Sequence, residues 1–443
     1  MISAGQRRYV LFLLFMVSVF NYIDRTILSI LQVPIKADLG LSDSQLGALT
    51  GLSFALFYST LSLPIARLAD RWTRKYLIAG SLAIWSGMTS LTGLATSFTS
   101  LLFYRVGVAA GEAGSIPATH SMIADLYPAS ARATALSVWG LSLPVGMMFG
   151  FSVAGALAEA VGWRMSFVIV GVAGLVLVPV LMFTMREPVR GYFDVVPATA
   201  SPVLSAREAL SRLWGLKTYR YLVAAGAFHA FAWYSVNSWS APFYVRVHEM
   251  SLAQTSLYLA LVNGFGSAAG MYLGGRLSDH FGKSDPRARA RVVAIALIVM
   301  VPFALCQYFV ASAELSMALG AVSQTLMLVY YGPIIAIAHL LVPANMRAFT
   351  SAVLMLVLNL FGLGLGPFVT GLISDTLVTH LGMVAHSLRY AISFSVLFSL
   401  LGGWLFWRAS NSLPHEMLHK PEELSPEPVV PAGLRAVREA RVG

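Results

Sequence analysis

Long apolar runs separated by short polar or Gly/Pro-rich segments follow one another along most of the chain. A helix needs about 20 apolar residues to cross the hydrocarbon layer of a bilayer, and these runs reach that length. A membrane β-barrel would show short alternating segments instead, and this pattern is missing. We therefore predict an all-α membrane protein with twelve spans, near residues 9–33, 46–69, 75–95, 99–123, 133–158, 165–185, 220–245, 254–276, 291–310, 315–339, 348–373 and 388–408.

The composition agrees with this pattern. Of the 443 residues, 57% are hydrophobic and only 11% are charged, whereas soluble proteins contain about 25% charged residues. The apolar run after Arg7 and Arg8 has no small-residue cleavage site behind it, so we interpret it as a retained first helix. The single cysteine, Cys306, excludes an intramolecular disulfide.

The basic residues predict the orientation of the chain. If the N-terminus is cytoplasmic, the outer loops contain only Lys36, Arg164, Arg246 and Arg389, and nearly all other Lys and Arg residues lie in cytoplasmic segments. This bias places both termini in the cytoplasm of a multi-pass protein of the inner (plasma) membrane. The net charge of +10 then indicates contact with anionic membrane lipids and not nucleic acid, because the basic residues flank membrane spans.

The chain repeats itself internally. ARLADRWTRK from Ala66 aligns with GRLSDHFGKS from Gly275, an offset of 209 residues. The same offset carries the pattern S-x-x-Q at Ser42 onto Ser251, and both predict a capping box that opens a helix. A further match joins PASARATALSV from Pro128 to PANMRAFTSAV. Three matches in the same order indicate two homologous halves of six helices each.

This repeat predicts the domain organisation. Residues 1–185 form an N-terminal six-helix bundle, and residues 220–409 form a C-terminal one. The cytoplasmic linker, 186–219, contains a capping-box pattern at Ser205 and a predicted amphipathic helix on the membrane surface. The Pro- and Glu-rich tail, 410–443, is predicted to be disordered. Two rocking halves favour alternating access, with a substrate site between them near the midplane.

The loop after span 2 resembles a family signature. ARLADRWTRK is similar to G-x-L-A-D-R-x-G-R-K of the major facilitator superfamily, and its second copy keeps Gly275, Leu277, Asp279 and Gly282. Ala66 and Thr73 replace the two glycines of the signature, and the second copy has His280 and Ser284 at basic positions. The resemblance implies a twelve-helix transporter, with cytoplasmic gate residues Asp70, Arg71, Arg74 and Asp279.

Two further motifs resemble one subfamily. NYIDR in span 1 and RVGVAAGEAGSIPA in span 4 are similar to the spinster subfamily, whose members are associated with lysophospholipid and sphingolipid transport. This resemblance implies an amphiphilic, lipid-like substrate. The alternative is a proton-coupled carrier of small organic anions or sugars, in which Arg25 or Arg105 binds a carboxylate.

Four charged residues lie well inside predicted spans, away from the span ends: Asp24, Arg25, Arg105 and Glu112. Inserting a charged side chain at the membrane centre costs at least about 2.5 to 3.5 kcal/mol, so each of these residues requires a structural or functional explanation. At 1.5 Å per residue from the predicted outer ends, Asp24, Arg25 and Arg105 lie roughly 9 to 13 Å deep and Glu112 roughly 20 Å deep. One interpretation is a static ion-pair cluster. The other assigns proton coupling to Asp24 and Glu112, and counter-ion or substrate binding to Arg25 and Arg105.

The repeat partners of these charges are uncharged: Trp233 for Asp24, Leu328 for Glu112 and Ala321 for Arg105. The fold itself therefore does not require charges there. The second half offers aromatic and amide side chains, which suit an amphiphile. Candidate substrate contacts are Asn21, Thr119, His229, Trp233, Tyr234, Asn237, Gln324 and Tyr331.

Other function classes are disfavoured by missing motifs. The sequence has neither H-E-x-x-H nor the phosphate-binding G-x-x-x-x-G-K-[ST], so we expect no enzyme activity, no metal, no cofactor and no ATP-driven transport. A channel or receptor remains an alternative that saturable counterflow would separate from a carrier. We predict a secondary active transporter that is driven by protons and works as a monomer.

Overall fold

The computed structural model describes residues 3–190, 205–343, 346–384 and 386–417. In these ranges all regular structure is helical, and no β-strand occurs. When consecutive helical segments are joined, these ranges contain thirteen helices. The all-helical fold predicted from the sequence is confirmed for this part of the chain.

The first half contains six helices. They are α1 (Ala4–Leu39), α2 (Asp43–Gly47, Ala48–Leu52 and Ser53–Arg71), α3 (Arg74–Thr92), α4 (Phe98–Glu112 and Ser115–Leu126), α5 (129–161) and α6 (163–184). The boundary between α5 and α6 is Gly162, whose φ of 79° breaks the helical stretch Ser142–Thr184. Only glycine adopts this conformation without strain.

A short linker helix and six further helices follow. They are the linker helix α7 (Ala206–Gly215), then α8 (Lys217–Val247), α9 (Leu252–Leu261, Val262–Gly266 and Ser267–Gly282), α10 (Ala288–Phe309), α11 (Ala313–Met327, Leu328–Tyr330 and Tyr331–Leu340), α12 (Arg347–Val357, Leu358–Leu365 and Gly366–Leu381) and α13 (Ser387–Glu416). Helices α2, α9 and α12 each contain a π-helical segment, a distortion that is frequent at functional sites.

Six helical stretches of the described chain are long and apolar enough by themselves to cross a membrane. They are Ala4–Leu39, Thr134–Thr184, Ala288–Phe309, Ala313–Leu340, Phe349–Leu381 and Ser387–Glu416. The sequence predicted twelve spans from its apolar runs, and six stretches of the described chain meet this condition.

The predicted helix starts are confirmed in detail. Ser42 with Gln45, Ser251 with Gln254 and Ser205 with Glu208 each form a complete capping box. The Ser205 hydroxyl and backbone N–H both donate to the Glu208 carboxylate and hold its pKa below the usual value. The S-x-x-Q pattern therefore opens α2 and α9, the corresponding helices of the two halves.

The C-terminal boundary differs from the prediction. Residues 410–416, assigned to a disordered tail, continue helix α13 as far as Glu416. The Glu416 carboxylate accepts hydrogen bonds from the backbone N–H groups of Lys217 (2.9 Å) and Thr218 (2.8 Å) at the start of α8. These bonds explain why the helix continues past the apolar run. The remaining tail, 418–443, lies outside the described residues.

At one end of the bundle, each half caps the start of a helix of the other half. We call this end, which carries residues 40–45 and 249–253, the outer end. Asp375 of α12 accepts hydrogen bonds from the backbone N–H groups of Asp43 (2.9 Å) and Ser44 (2.7 Å) at the start of α2. In the other direction, Glu159 of α5 accepts one from Ala253 in the first turn of α9 (2.7 Å). A carboxylate at a helix N-terminus is favourable, so both contacts stabilise the closed outer end.

Candidate functional site

A cavity of about 360 Å³ lies between the two halves. Helices α1, α2, α4 and α5 form one wall, and α8, α11 and α12 form the other. We call it the central cavity. Its position between the halves is the one that the repeat predicts for a substrate site, and a volume of this size is typical of small-molecule sites.

The outer end of the central cavity is closed by a polar contact between α1, α2 and α8. The Gln32 amide donates to the backbone oxygen and to the hydroxyl of Ser238, both at 3.2 Å. The Ser238 hydroxyl in turn donates to Thr50 at 3.0 Å. The hydrogen bonds that join described residues of the two halves all lie here or nearer the outer end.

Arg25 and Glu112 form the ion pair of the site. Arg25 Nε donates to Glu112 Oε2 at 2.8 Å; Glu112 is fully buried, while 20% of the Arg25 side chain is exposed. Arg25 lines the central cavity and Glu112 lies behind it. Among the described residues, Arg25 Nη2 and Glu112 Oε1 have no hydrogen-bond partner. The pair therefore leaves one guanidinium nitrogen and one carboxylate oxygen without a partner among the described residues.

This pairing corrects the depth expected from the sequence, which placed Arg105 level with Asp24 and Arg25, and Glu112 deeper. The error came from the helix ends. Helix α1 continues to Leu39 and α4 begins at Phe98, so Arg25 and Glu112 both lie about 21 Å from these ends at 1.5 Å per residue. Arg105 lies nearer the outer end, at about 10 Å by the same arithmetic.

Arg105 also faces the central cavity, and it forms no salt bridge with a carboxylate in the described part of the chain. Its Nε donates to the backbone oxygen of Leu49 at 3.3 Å. Its guanidinium lies 4.5 Å from the centre of the Phe54 ring, and the Arg25 guanidinium lies 4.8 Å from the same ring. Phe54 thus contacts both cations, and cation–π attraction of this kind is stronger away from water.

Asp24 points away from the central cavity. It lines a separate space of about 10 Å³ together with Thr89, Thr92 and Arg105. Only 4% of Asp24 is exposed, and its Oδ1 has no hydrogen-bond partner among the described residues. Because Arg105 lines both spaces, it is the side chain that connects Asp24 with the central cavity.

The opposite wall is aromatic. Trp233, Tyr234 and Tyr331, predicted as substrate contacts, line the central cavity together with Tyr330. The rings of Trp233 and Tyr234 lie 4.6 Å apart, edge to face. Asn237, also predicted, lines the cavity one turn further along α8. The described lining contains two arginines and no carboxylate, so the cavity favours an anionic group.

The other predicted contacts do not line the central cavity. Asn21 and Thr119 are buried. His229 is held by Ser399 (3.0 Å) and by the backbone oxygen of Met327 (2.9 Å), which gives it a packing role. Gln324 donates to Asn263 at 2.9 Å inside the second half.

The predicted cytoplasmic gate residues differ in their surroundings. Arg74 is buried and binds Asp125, Glu187 (2.9 Å) and Ser121 (3.0 Å). Asp279 is exposed and pairs with Arg289 at 2.8 Å within the second half. Arg71 is exposed at the end of α2, and the side chain of Asp70 lies outside the described residues.

Sequence reasoning missed the residues that support the charges. Phe54 and Tyr58 lie 4.8 and 5.0 Å from the Arg25 guanidinium, but aromatic residues in an apolar run give no distinguishing pattern. Asp43, inside the predicted capping box at Ser42, was not identified as a contact, although it pairs with Arg246 of the other half at 2.9 Å. The two residues lie far apart in the sequence, and no pattern connects them.

Comparison with known proteins places this geometry in context. Residues 14–367 match the family model of the Major Facilitator Superfamily. The chain is 33% identical over 405 residues to an MFS-type efflux pump of Mycolicibacterium smegmatis, covering 91% of this chain and 93% of that protein. It is 25% identical over 394 residues to a probable L-galactonate transporter of Escherichia coli, covering 86% and 84%.

A solved structure is similar along the whole fold. It is a bacterial homologue of the human lysosomal transporter Spinster, in an inward-facing and unoccupied conformation. The TM-score is 0.87 at 31% sequence identity, and the match covers 94% of this chain and 99% of that one.

Proposed function

Because this chain belongs to the Major Facilitator Superfamily, and is therefore a multi-pass membrane transporter and not an enzyme, we propose that it moves an amphiphilic, lipid-like substrate by proton-coupled alternating access. The proposal includes twelve spans in two pseudo-symmetric bundles, with both termini in the cytoplasm. The outer end is then the periplasmic face, and the conformation described above is closed to the outside. Alternating access requires a second conformation in which these outer contacts are broken.

The observation that carries the substrate class is the unequal lining of the central cavity. Arg25 and Arg105 lie on one wall, and Trp233, Tyr234 and Tyr331 lie on the other. A guanidinium binds phosphate or carboxylate through paired N–H groups, and Arg25 Nη2 is free among the described residues. Aromatic rings bind apolar or cationic groups. An anionic head joined to an apolar chain satisfies both walls.

Proton coupling is proposed for Asp24 and Glu112. Both are buried beside arginines, and each keeps one carboxylate oxygen without a hydrogen-bond partner among the described residues. A carboxylate that gains or loses its arginine as the halves move binds or releases a proton in step with the conformational change. Arg25 is well placed for this exchange, because it contacts both Glu112 and the substrate cavity.

A second candidate substrate class is a small organic anion such as a sugar acid. The similarity to a probable L-galactonate transporter favours it, and the same arginines would bind its carboxylate. The aromatic wall distinguishes the two proposals, since a hydrophilic sugar acid gains less from four aromatic rings than an acyl chain does.

Competition in proteoliposomes tests the substrate class. Counterflow of a labelled lysophospholipid should be saturable, and unlabelled lysolipids should displace the label while galactonate and other small carboxylates do not. Trp233→Leu removes one ring of the aromatic wall and should weaken displacement by lysolipids. Phe231→Leu, at a position on α8 outside the central cavity, is the matched control. Displacement by small carboxylates alone would replace the lipid proposal with the organic-anion one.

A further inference from the structure

A second internal cavity lies entirely within the C-terminal half. It has a volume of about 20 Å³ and is enclosed by α8, α9, α10 and α11. About half of its lining is polar, which is unusual for the inside of a membrane bundle. Six of the lining side chains are amides or aliphatic hydroxyls: Asn237, Ser240, Asn263, Gln307, Ser323 and Gln324.

The amide donors around this amide cavity already have protein partners. Gln324 Nε2 donates to Asn263 Oδ1 at 2.9 Å, and Asn263 Nδ2 donates to the backbone oxygen of Leu259 at 2.9 Å. Gln307 Nε2 donates to the Tyr244 hydroxyl at 3.1 Å. Asn237 Nδ2 also has a partner, the backbone oxygen of Trp233 at 3.4 Å, but the buried Asn237 Oδ1 has no hydrogen-bond partner among the described residues. A buried acceptor without a donor is costly, so a donor is needed there.

Size and charge restrict what can supply that donor. A cavity needs about 10 to 15 Å³ and two to four polar partners to hold one water molecule. The amide cavity meets both conditions, with about 20 Å³. Its described lining contains no carboxylate or other charged group, so a metal cation would be buried without a counter-charge.

We propose that the amide cavity is a binding site for one water molecule. The water donates a hydrogen bond to Asn237 Oδ1 and bridges α8 to the amide and hydroxyl groups of α10 and α11. This site is independent of the substrate class proposed above. It needs only the buried polar lining of the second half.

The site has a consequence for Asn237, which also lines the central cavity. A water bound to Oδ1 fixes the orientation of the amide and therefore the groups that Asn237 offers to a substrate. In the first half, Arg105 has a similar role, although it is not the repeat partner of Asn237, because it lines both the central cavity and the small space that contains Asp24. Each half thus has a small space behind one side chain of the central cavity, with charged groups in one half and neutral polar groups in the other.

The decisive experiment is a structure of the wild-type protein in lipid nanodiscs, at a resolution that shows ordered water. We expect one density peak in the amide cavity, about 2.7 to 3.2 Å from Asn237 Oδ1. Ser323→Val should fill the space and remove the peak. Ser323→Ala, which removes one hydroxyl but leaves the space, should retain it.

An empty amide cavity in the wild-type map would overturn the proposal, whether or not Ser323→Val folds. A peak that persists in Ser323→Val would also overturn it, because the water would then lie elsewhere. Thermal melting in NaCl, KCl and choline chloride tests for a cation. Equal melting temperatures in the three salts are expected, and a sodium-specific rise that Ser323→Val abolishes would show a cation site instead.

Discussion

Arg246 Nη1 donates to both carboxylate oxygens of Asp43, at 2.9 and 3.0 Å, and this ion pair joins α8 to α2 across the two halves. Asp43 is almost completely buried and also accepts hydrogen bonds from Lys36 Nζ (2.5 Å) and the Ser374 hydroxyl (2.7 Å). Two of these four bonds come from Arg246 and one from Ser374, both in the C-terminal half. Separation of the halves at the outer end would therefore leave Asp43 with few of its partners.

Asp43→Asn should shift the protein toward the conformation that is open at the outer end. Loss of the negative charge leaves Arg246 and Lys36 without their buried counter-ion, and this penalty applies mainly to the closed state. We expect at least about a tenfold change in the ratio of the two states, equivalent to about 1.4 kcal/mol. Distances between spin labels on the outer ends of α2 and α12 measure this ratio.

Asp279→Asn is the control for that experiment. Asp279 pairs with Arg289 inside the second half and is 70% exposed, so its neutralisation should leave the outer distances unchanged. An unchanged distance distribution in Asp43→Asn would show that its ion pairs do not hold the outer end closed.

Gly47 provides an independent, steric test of the same interface. A Cβ at this position would lie closer than 3.0 Å to Cα of Phe368 and to the backbone carbonyl of Pro367, on α12 of the opposite half. Backbone atoms cannot move aside as a flexible side chain can, so Gly47→Ala should push the halves apart and populate the outward-open state. Cysteine accessibility of the central cavity from the outside should increase.

Gly87→Ala is the matched control, because a Cβ at Gly87 of α3 meets nothing within 4 Å. It changes the same residue type in the same half and should leave accessibility unchanged. Equal accessibility in the two glycine variants would mean that the contact between α2 and α12 yields without separating the halves.

The sequence predicted the features that depend on local pattern. The repeat and the capping boxes at Ser42 and Ser251 follow from residue types at fixed spacings, and they fixed the order of the helices. The partner of Arg25 could not be predicted in the same way. A six-residue error in the end of α1 changes the calculated depth of Arg25 by about 9 Å. This is enough to place Arg105, and not Glu112, at the level of Arg25.

The unequal walls of the central cavity were partly predictable. The repeat showed that charges occur only in the first half, and Trp233, Tyr234 and Tyr331 were identified as their aromatic counterparts. His229 and Gln324 were predicted as substrate contacts from the same two spans, yet they bond within their own half. Which face of a helix borders the cavity depends on how the helices pack, and a single sequence does not contain that information.

The orientation of the chain can be tested at the linker. Ser205 caps α7, which packs Ala209 and Leu213 against the bundle and leaves Leu210 and Trp214 exposed. In a Cys306→Ser background, a cysteine introduced by Thr184→Cys or Ser205→Cys should react with a membrane-impermeant maleimide only after the membrane is opened. Ser312→Cys, at the opposite end of the bundle, should react in intact cells. Labelling of Ser205→Cys from outside would contradict a cytoplasmic linker.

The acidic residues give the strongest test of proton coupling. Glu112→Gln and Asp24→Asn should each abolish substrate accumulation driven by a proton gradient, because neither amide can bind and release a proton in the cycle. Counterflow without a gradient should persist, since the cavity and its arginines remain.

Arg105→Ala should impair both activities, because Arg105 lines the central cavity and also the space around Asp24. Asp285→Asn, a half-exposed residue between α9 and α10, is the control and should transport normally. Gradient-driven uptake into proteoliposomes between pH 5 and 8 is the measurement, and a wild-type pH profile in both acid variants would assign Asp24 and Glu112 to the static ion-pair cluster.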